Sequence, residues 1–133
     1  MNKKRVLIAT AIGLLSGFFC SYGTMMMAES GEATFPVTAG ILASIVYNRV
    51  LIGFVVGIAE GIRLHPVLRG AVIGAVITMA MSIIPILDGN AMGGLNLIGF
   101  GIIYGIIADV IATRFSKMKD RKRKTALESV WEK

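Results

Sequence analysis

The sequence holds one cysteine, Cys20, and one histidine, His65, among 133 residues. A single thiol excludes an intrachain disulfide, and neither residue has the companions that a Cys/His metal site needs. Cys20 therefore reads as a buried apolar filler. Charge is scarce too. Only 17% of residues are Asp, Glu, Lys or Arg, against about a quarter in soluble domains. Most of these lie at the ends or in short connections, so the polar surface of a water-soluble domain is missing. Enzyme signatures are also missing. No nucleophile stands beside a base at a readable spacing, no phosphate loop follows a strand, and the pair Gly93 and Gly94 is too short to cradle one. The chain reads as a non-enzyme with no cofactor.

What is present is apolar. Hydrophobic residues make up 55% of a chain whose length leaves room for one domain. Crossing a bilayer core of roughly 30 Å takes about 20 apolar residues in a helix. Four stretches qualify: about 6–28, 37–62, 67–87 and 95–115. The expectation is an all-α, four-helix transmembrane bundle over 1–115, followed by a basic cytoplasmic tail over 116–133. The first stretch is longer than the usual signal-peptide core of about 7–15 residues, and Met26 is too bulky for a cleavage site after Ala28. It reads as a retained helix. The second contains Asn48 and Arg49 mid-span, without proline or glycine at that point, so an unbroken helix is expected.

The net charge of +6 does not signal nucleic acid, because the basic residues flank apolar spans, where Lys and Arg set topology. Lys and Arg occur at the N-terminus, between the second and third spans, and in the tail. The other two connections have none. Both termini are thus expected on the cytoplasmic side, in the plasma membrane, with Glu29, Glu32 and Asp88 on the outer face.

Small residues recur at every fourth position. The first helix has Ala9, Gly13, Gly17 and Ser21. The second has Gly53, Gly57 and Gly61, the third Gly70, Gly74, Thr78 and Ser82, and the fourth Gly101 and Gly105. Residues four apart share a helix face. In lipid, where helices gain little from hydrophobicity on associating, small faces permit close backbone approach. Glycine-mediated GxxxG packing is expected, and a bundle with so little interior is expected to form a homo-oligomer. A short echo, Arg5-Val-Leu-Ile and Arg49-Val-Leu-Ile with glycines eight and twelve residues on, is too brief to read as a repeat.

Arg49 and Asp109 stand out. An ionisable side chain in the hydrocarbon core costs at least about 2.5–3.5 kcal/mol and marks a functional site by default. Counted from Pro36 and Leu95, the two lie about 20 and 21 Å inward at 1.5 Å per residue. Each is four residues from a stripe glycine, Gly53 or Gly105. The spacing predicts that they pair, with Asn48 and Tyr47 supplying hydrogen bonds nearby. If Arg49 is unpaired, it instead faces a central cavity across an oligomer and favours anions. Glu60, Arg63, His65 and Arg69 form a second cluster at the cytoplasmic surface, read mainly as topology anchors. In the tail, Lys117, Lys119 and the run Arg121 to Lys124 suit anionic lipid, and Leu127, Val130 and Trp131 suit the interface or a cytoplasmic partner. Two functions follow. One is a small oligomeric channel or transporter for an ion or solute. The other is a non-transporting subunit or scaffold within a larger membrane complex.

Overall fold

In a computed structural model, described for residues 3–33 and 35–132 and without the side chains of 118–121 and 123, every regular element is helical. The order is α1 Lys3–Glu29, α2 Ala39–Ile58, a short 3-10 turn Ala59–Gly61, α3 Pro66–Leu87 and α4 Ala91–Trp131. Four segments are long and apolar enough to cross a membrane: Lys3–Glu29, Ala39–Gly61, Pro66–Leu87 and Ala91–Lys117. Large apolar side chains such as Leu7, Leu15, Phe18, Val76 and Ile84 point outward. The chain has the make-up of a small membrane protein.

Local chemistry sets the helix ends. The Thr38 hydroxyl accepts the Ile41 N–H at the start of α2, and the Asn90 side chain accepts the Gly93 N–H at the start of α4. These side chains satisfy donors that a helix start leaves open. Pro66 opens α3, preceded by His65, whose Nδ1 accepts the Val67 N–H. Gly31 and Gly89, in the turns after α1 and α3, have φ of 77° and 86°, a backbone region that side chains with a Cβ rarely adopt. Arg49 lies within an unbroken α2.

The helices form two hairpins, α1–α2 and α3–α4, each closely paired; α1 makes no backbone approach to α3 among the described residues. Both hairpins pack in one register. A Cβ placed on Gly13 would strike the Arg49 carbonyl and lie 3.2 Å from the Val50 Cα; one on Gly74 would strike the Gly101 carbonyl and lie 3.3 Å from the Ile102 Cα. Likewise Gly53 abuts the Ala9 carbonyl as Gly105 abuts that of Gly70. Positions in α1 thus correspond to α3 sixty-one residues on (Gly13 to Gly74), and positions in α2 to α4 fifty-two residues on (Arg49 to Gly101). The structural correspondence pairs α1 with α3, not α1 with α2 as the Arg-Val-Leu-Ile echo would have it. Gly61 departs from the expected stripe. The helix tightens to 3-10 geometry there, the four-residue face is lost, and a Cβ would meet nothing within 4 Å.

Between the hairpins, a core of Ala9, Ile52, Val56, Ala108 and Ala112 fills one half of the bundle. Small side chains on α1 and α4 let the hairpins close there. In the other half they separate around a cavity.

Candidate functional site

Asp109, fully buried on α4, accepts from two arginines. Arg69 forks onto it, Nε to Oδ2 at 2.7 Å and Nη2 to Oδ1 at 2.6 Å. Arg5 Nη2 reaches the same Oδ1 at 2.6 Å, and the Thr113 hydroxyl donates to it at 3.1 Å. Arg69 Nη1 donates to the carbonyls of Ala59 and Ile62 at 3.2 and 3.1 Å, closing the end of α2. The cluster ties α1, the α2 terminus, α3 and α4 together. Glu60 is near enough to act electrostatically on both arginines.

Asp109 pairs not with Arg49, as helix spacing predicts, but with Arg5 and Arg69. In the structure α2 starts at Ala39 and α4 at Ala91, so Arg49 lies ten residues along its helix and Asp109 eighteen. The shared hairpin register sets Arg49 level with Gly101, eight residues and so about 12 Å from Asp109 along the helix axis. Arg69, assigned to the surface cluster, is instead 5% exposed and belongs to Asp109. Arg63 and His65 are exposed and stay with the connection. Arg5, expected among the N-terminal topology residues, joins Arg69 on Asp109. Its signal was present, because it sits four residues before Ala9 on the small-residue face.

Arg49 is 3% exposed and, among the described residues, has no carboxylate within salt-bridge distance. Its guanidinium lies over the Tyr104 ring, 4.7 Å from the centroid. Among the described residues, Nη2 has the Cys20 Sγ, at 3.9 Å, as its one hydrogen-bond contact, and the buried Nε and Nη1 have none. Cation–π attraction recovers about 0.5–2 kcal/mol, less than the cost of an unpaired intramembrane arginine. No sequence signal marked Tyr104, and Cys20, read as filler, lies on the same wall. Arg49, Cys20 and Tyr104 line a cavity of about 560 Å³ between α1, α2 and α4. Phe19, Phe35 and Phe100 add apolar walls, while Asn96 and Glu32 are among its polar members.

Asn48, grouped with Arg49 by sequence, faces elsewhere. Its Nδ2 donates to the Ile77 carbonyl and its Oδ1 accepts from the Thr78 hydroxyl, both at 3.4 Å. It lines a separate groove between α2 and α3. The structure thus distributes Arg49, Asp109 and Asn48 over three places. Among the described residues, no cluster of His, Cys, Asp and Glu suits a metal ion.

The helix of α4 continues without a break from its apolar part into the tail and ends at Trp131. Leu127, Val130 and Trp131 are exposed. The side chains of Lys119, Arg121 and Arg123 lie outside the described residues. No protein-family model, curated protein or solved structure matches this chain.

Proposed function

We propose that this protein is a small membrane transporter or channel in which Arg49 provides the counter-charge for an anionic solute. One observation carries the reading: a buried guanidinium with two unpartnered nitrogens stands on the wall of a cavity. A cation held at membrane depth without an anion is costly, and such residues mark solute pathways. The separated half of the bundle gives the solute a place to enter. The Asp109 cluster closes the opposite end and holds the hairpins in register, a structural role that leaves Arg49 as the working charge.

The proposed setting places both termini in the cytoplasm of a plasma-membrane protein, so that the Asp109 end faces inward and the Arg49 cavity outward, following Lys and Arg placement. Glycine faces such as Gly13 with Gly53 and Gly70 with Gly105 hold each hairpin together, and outward-facing small residues serve a homo-oligomer. Lys117, Lys122 and Lys124 hold anionic lipid at the inner surface.

The test is flux of an anion panel into liposomes containing the purified chain. Wild-type protein passes at least one anion, and Arg49→Ala lowers that flux about tenfold or more, as loss of a buried charged partner implies. A flat panel with folded protein overturns transport and leaves the second reading, a non-transporting subunit. The helical extension with exposed Val130 and Trp131 favours that reading, since it offers an apolar stripe beyond the membrane for a cytoplasmic partner. Co-purification with one protein at fixed ratio is its signature.

A further inference from the structure

Resting on the anion reading above, we infer that the Arg49 cavity takes a monocarboxylate with an apolar body, in preference to an inorganic anion or a diacid. The chain itself shows how its guanidinium groups hold a carboxylate: Arg69 places Nε and Nη2 on the two oxygens of Asp109. Planar two-point pairing of this kind fits carboxylates. At Arg49, Nε and Nη1 are buried without a hydrogen-bond partner among the described residues, and Nη2, the nitrogen common to both planar edges of the guanidinium, touches only a thiol, so a carboxylate that takes up either edge displaces no acceptor stronger than sulfur.

The walls narrow the choice. Phe19, Phe35, Leu97 and Phe100 surround the approach to Arg49. A halide cannot span the two points of a planar guanidinium edge, and a phosphate that does so turns its remaining charged oxygens toward apolar walls, at the cost that burial of a poorly paired ion carries. A carboxylate on a short chain or ring pairs its charge with Arg49 and lays its carbon body on the aromatic walls. The volume of about 560 Å³ falls in the range that small-molecule sites use. Glu32, exposed at the same cavity, sets a negative charge against a second acid group and so disfavours a diacid, whose second carboxylate has no guanidinium of its own there.

Cys20 supplies the readout. It is the only cysteine, lines the cavity, and lies 3.9 Å from Arg49 Nη2. The experiment measures how fast anionic and cationic methanethiosulfonate reagents modify Cys20 in the full wild-type chain, with and without hexanoate. The anionic reagent should react about tenfold faster, as a local positive field implies. Hexanoate should slow it several-fold, while hexanol, hexylammonium, chloride and glutarate at equal concentration should not. Arg49→Gln should remove both the charge preference and the protection. Arg49→Lys, which keeps charge and loses the planar fork, should keep the preference and weaken protection. The ligand panel on wild-type protein decides the matter even if neither variant folds.

Protection by chloride equal to that by hexanoate overturns the carboxylate inference and leaves anion transport standing. Protection by glutarate equal to that by hexanoate overturns the monoacid selection. No reaction of Cys20 with either reagent shows the cavity closed and overturns the site. Hexanoate protection beside a flat flux panel upholds the ligand class and defeats the transport reading alone.

Discussion

Asp109 and Arg49 are both ionised side chains buried on helices that cross the bundle, and the protein treats them in opposite ways. In the shared register of the two hairpins, Asp109 corresponds to Gly57 and Arg49 to Gly101. Each hairpin thus carries its mid-helix charge where the other has glycine. Asp109 is surrounded by donors: two arginines and a threonine crowd its Oδ1 and Oδ2. Arg49 has an aromatic face and a thiol. A carboxylate that accepts four hydrogen bonds contributes to architecture. A guanidinium whose buried donors lack a partner among the described residues, on the wall of a cavity, is the charge we propose to meet a ligand. In the function we propose, the same residue class acts as a pin at one end of the molecule and as a receptor at the other.

Breaking the pin should give the largest effect. Asp109→Ala leaves Arg5 and Arg69 buried without a carboxylate and should destabilise the bundle by about 3–5 kcal/mol, read as helix loss on titration from mild detergent into SDS. Arg49→Met should move in the opposite direction. Removing an unpaired cation that costs about 2.5–3.5 kcal/mol, less the stacking lost with Tyr104, should stabilise the fold by about 1–2 kcal/mol while abolishing flux. A loss of stability at Arg49 as large as that at Asp109 would erase the distinction between them.

The repeat itself can be tested. Gly13→Ala and Gly74→Ala each push a methyl against a carbonyl in equivalent places, so each should cost about 1–3 kcal/mol by overpacking, and the two costs should agree. Unequal costs would show that the hairpins bear load differently. Gly61→Ala, in open space, is the built-in control. Asn48→Ala should have the smallest effect. Its two bonds are long, at 3.4 Å, and intramembrane hydrogen bonds average about 0.6 kcal/mol. A large loss there would move the seam between hairpins from Asp109 to the α2–α3 groove.

The four helices were legible because hydropathy and capping are local: an apolar run between turn residues declares itself without reference to the rest of the chain. The candidate site was legible only in part. Arg49 and Asp109 were found by the cost of charge in an apolar run. Their supposed pairing failed because depth was counted from Pro36 and Leu95, whereas α2 begins three residues after the one, at Ala39, and α4 four residues before the other, at Ala91; at 1.5 Å per residue the two shifts together move the side chains apart by about 10 Å. Tyr104 and Cys20 carried no signal, since an aromatic or a thiol in an apolar helix faces lipid as readily as a cation.

By itself the sequence determined that this chain forms four apolar helices with small-residue faces and two rare ionised groups among them, because each of those properties is summed along one segment. Only the tertiary structure decided which arginines Asp109 binds and that Arg49 is left beside a cavity. That choice depends on the vertical offset between helices, fixed where the Gly13 and Gly74 faces meet the Arg49 and Gly101 carbonyls, and such long-range contacts have no local signature in the chain.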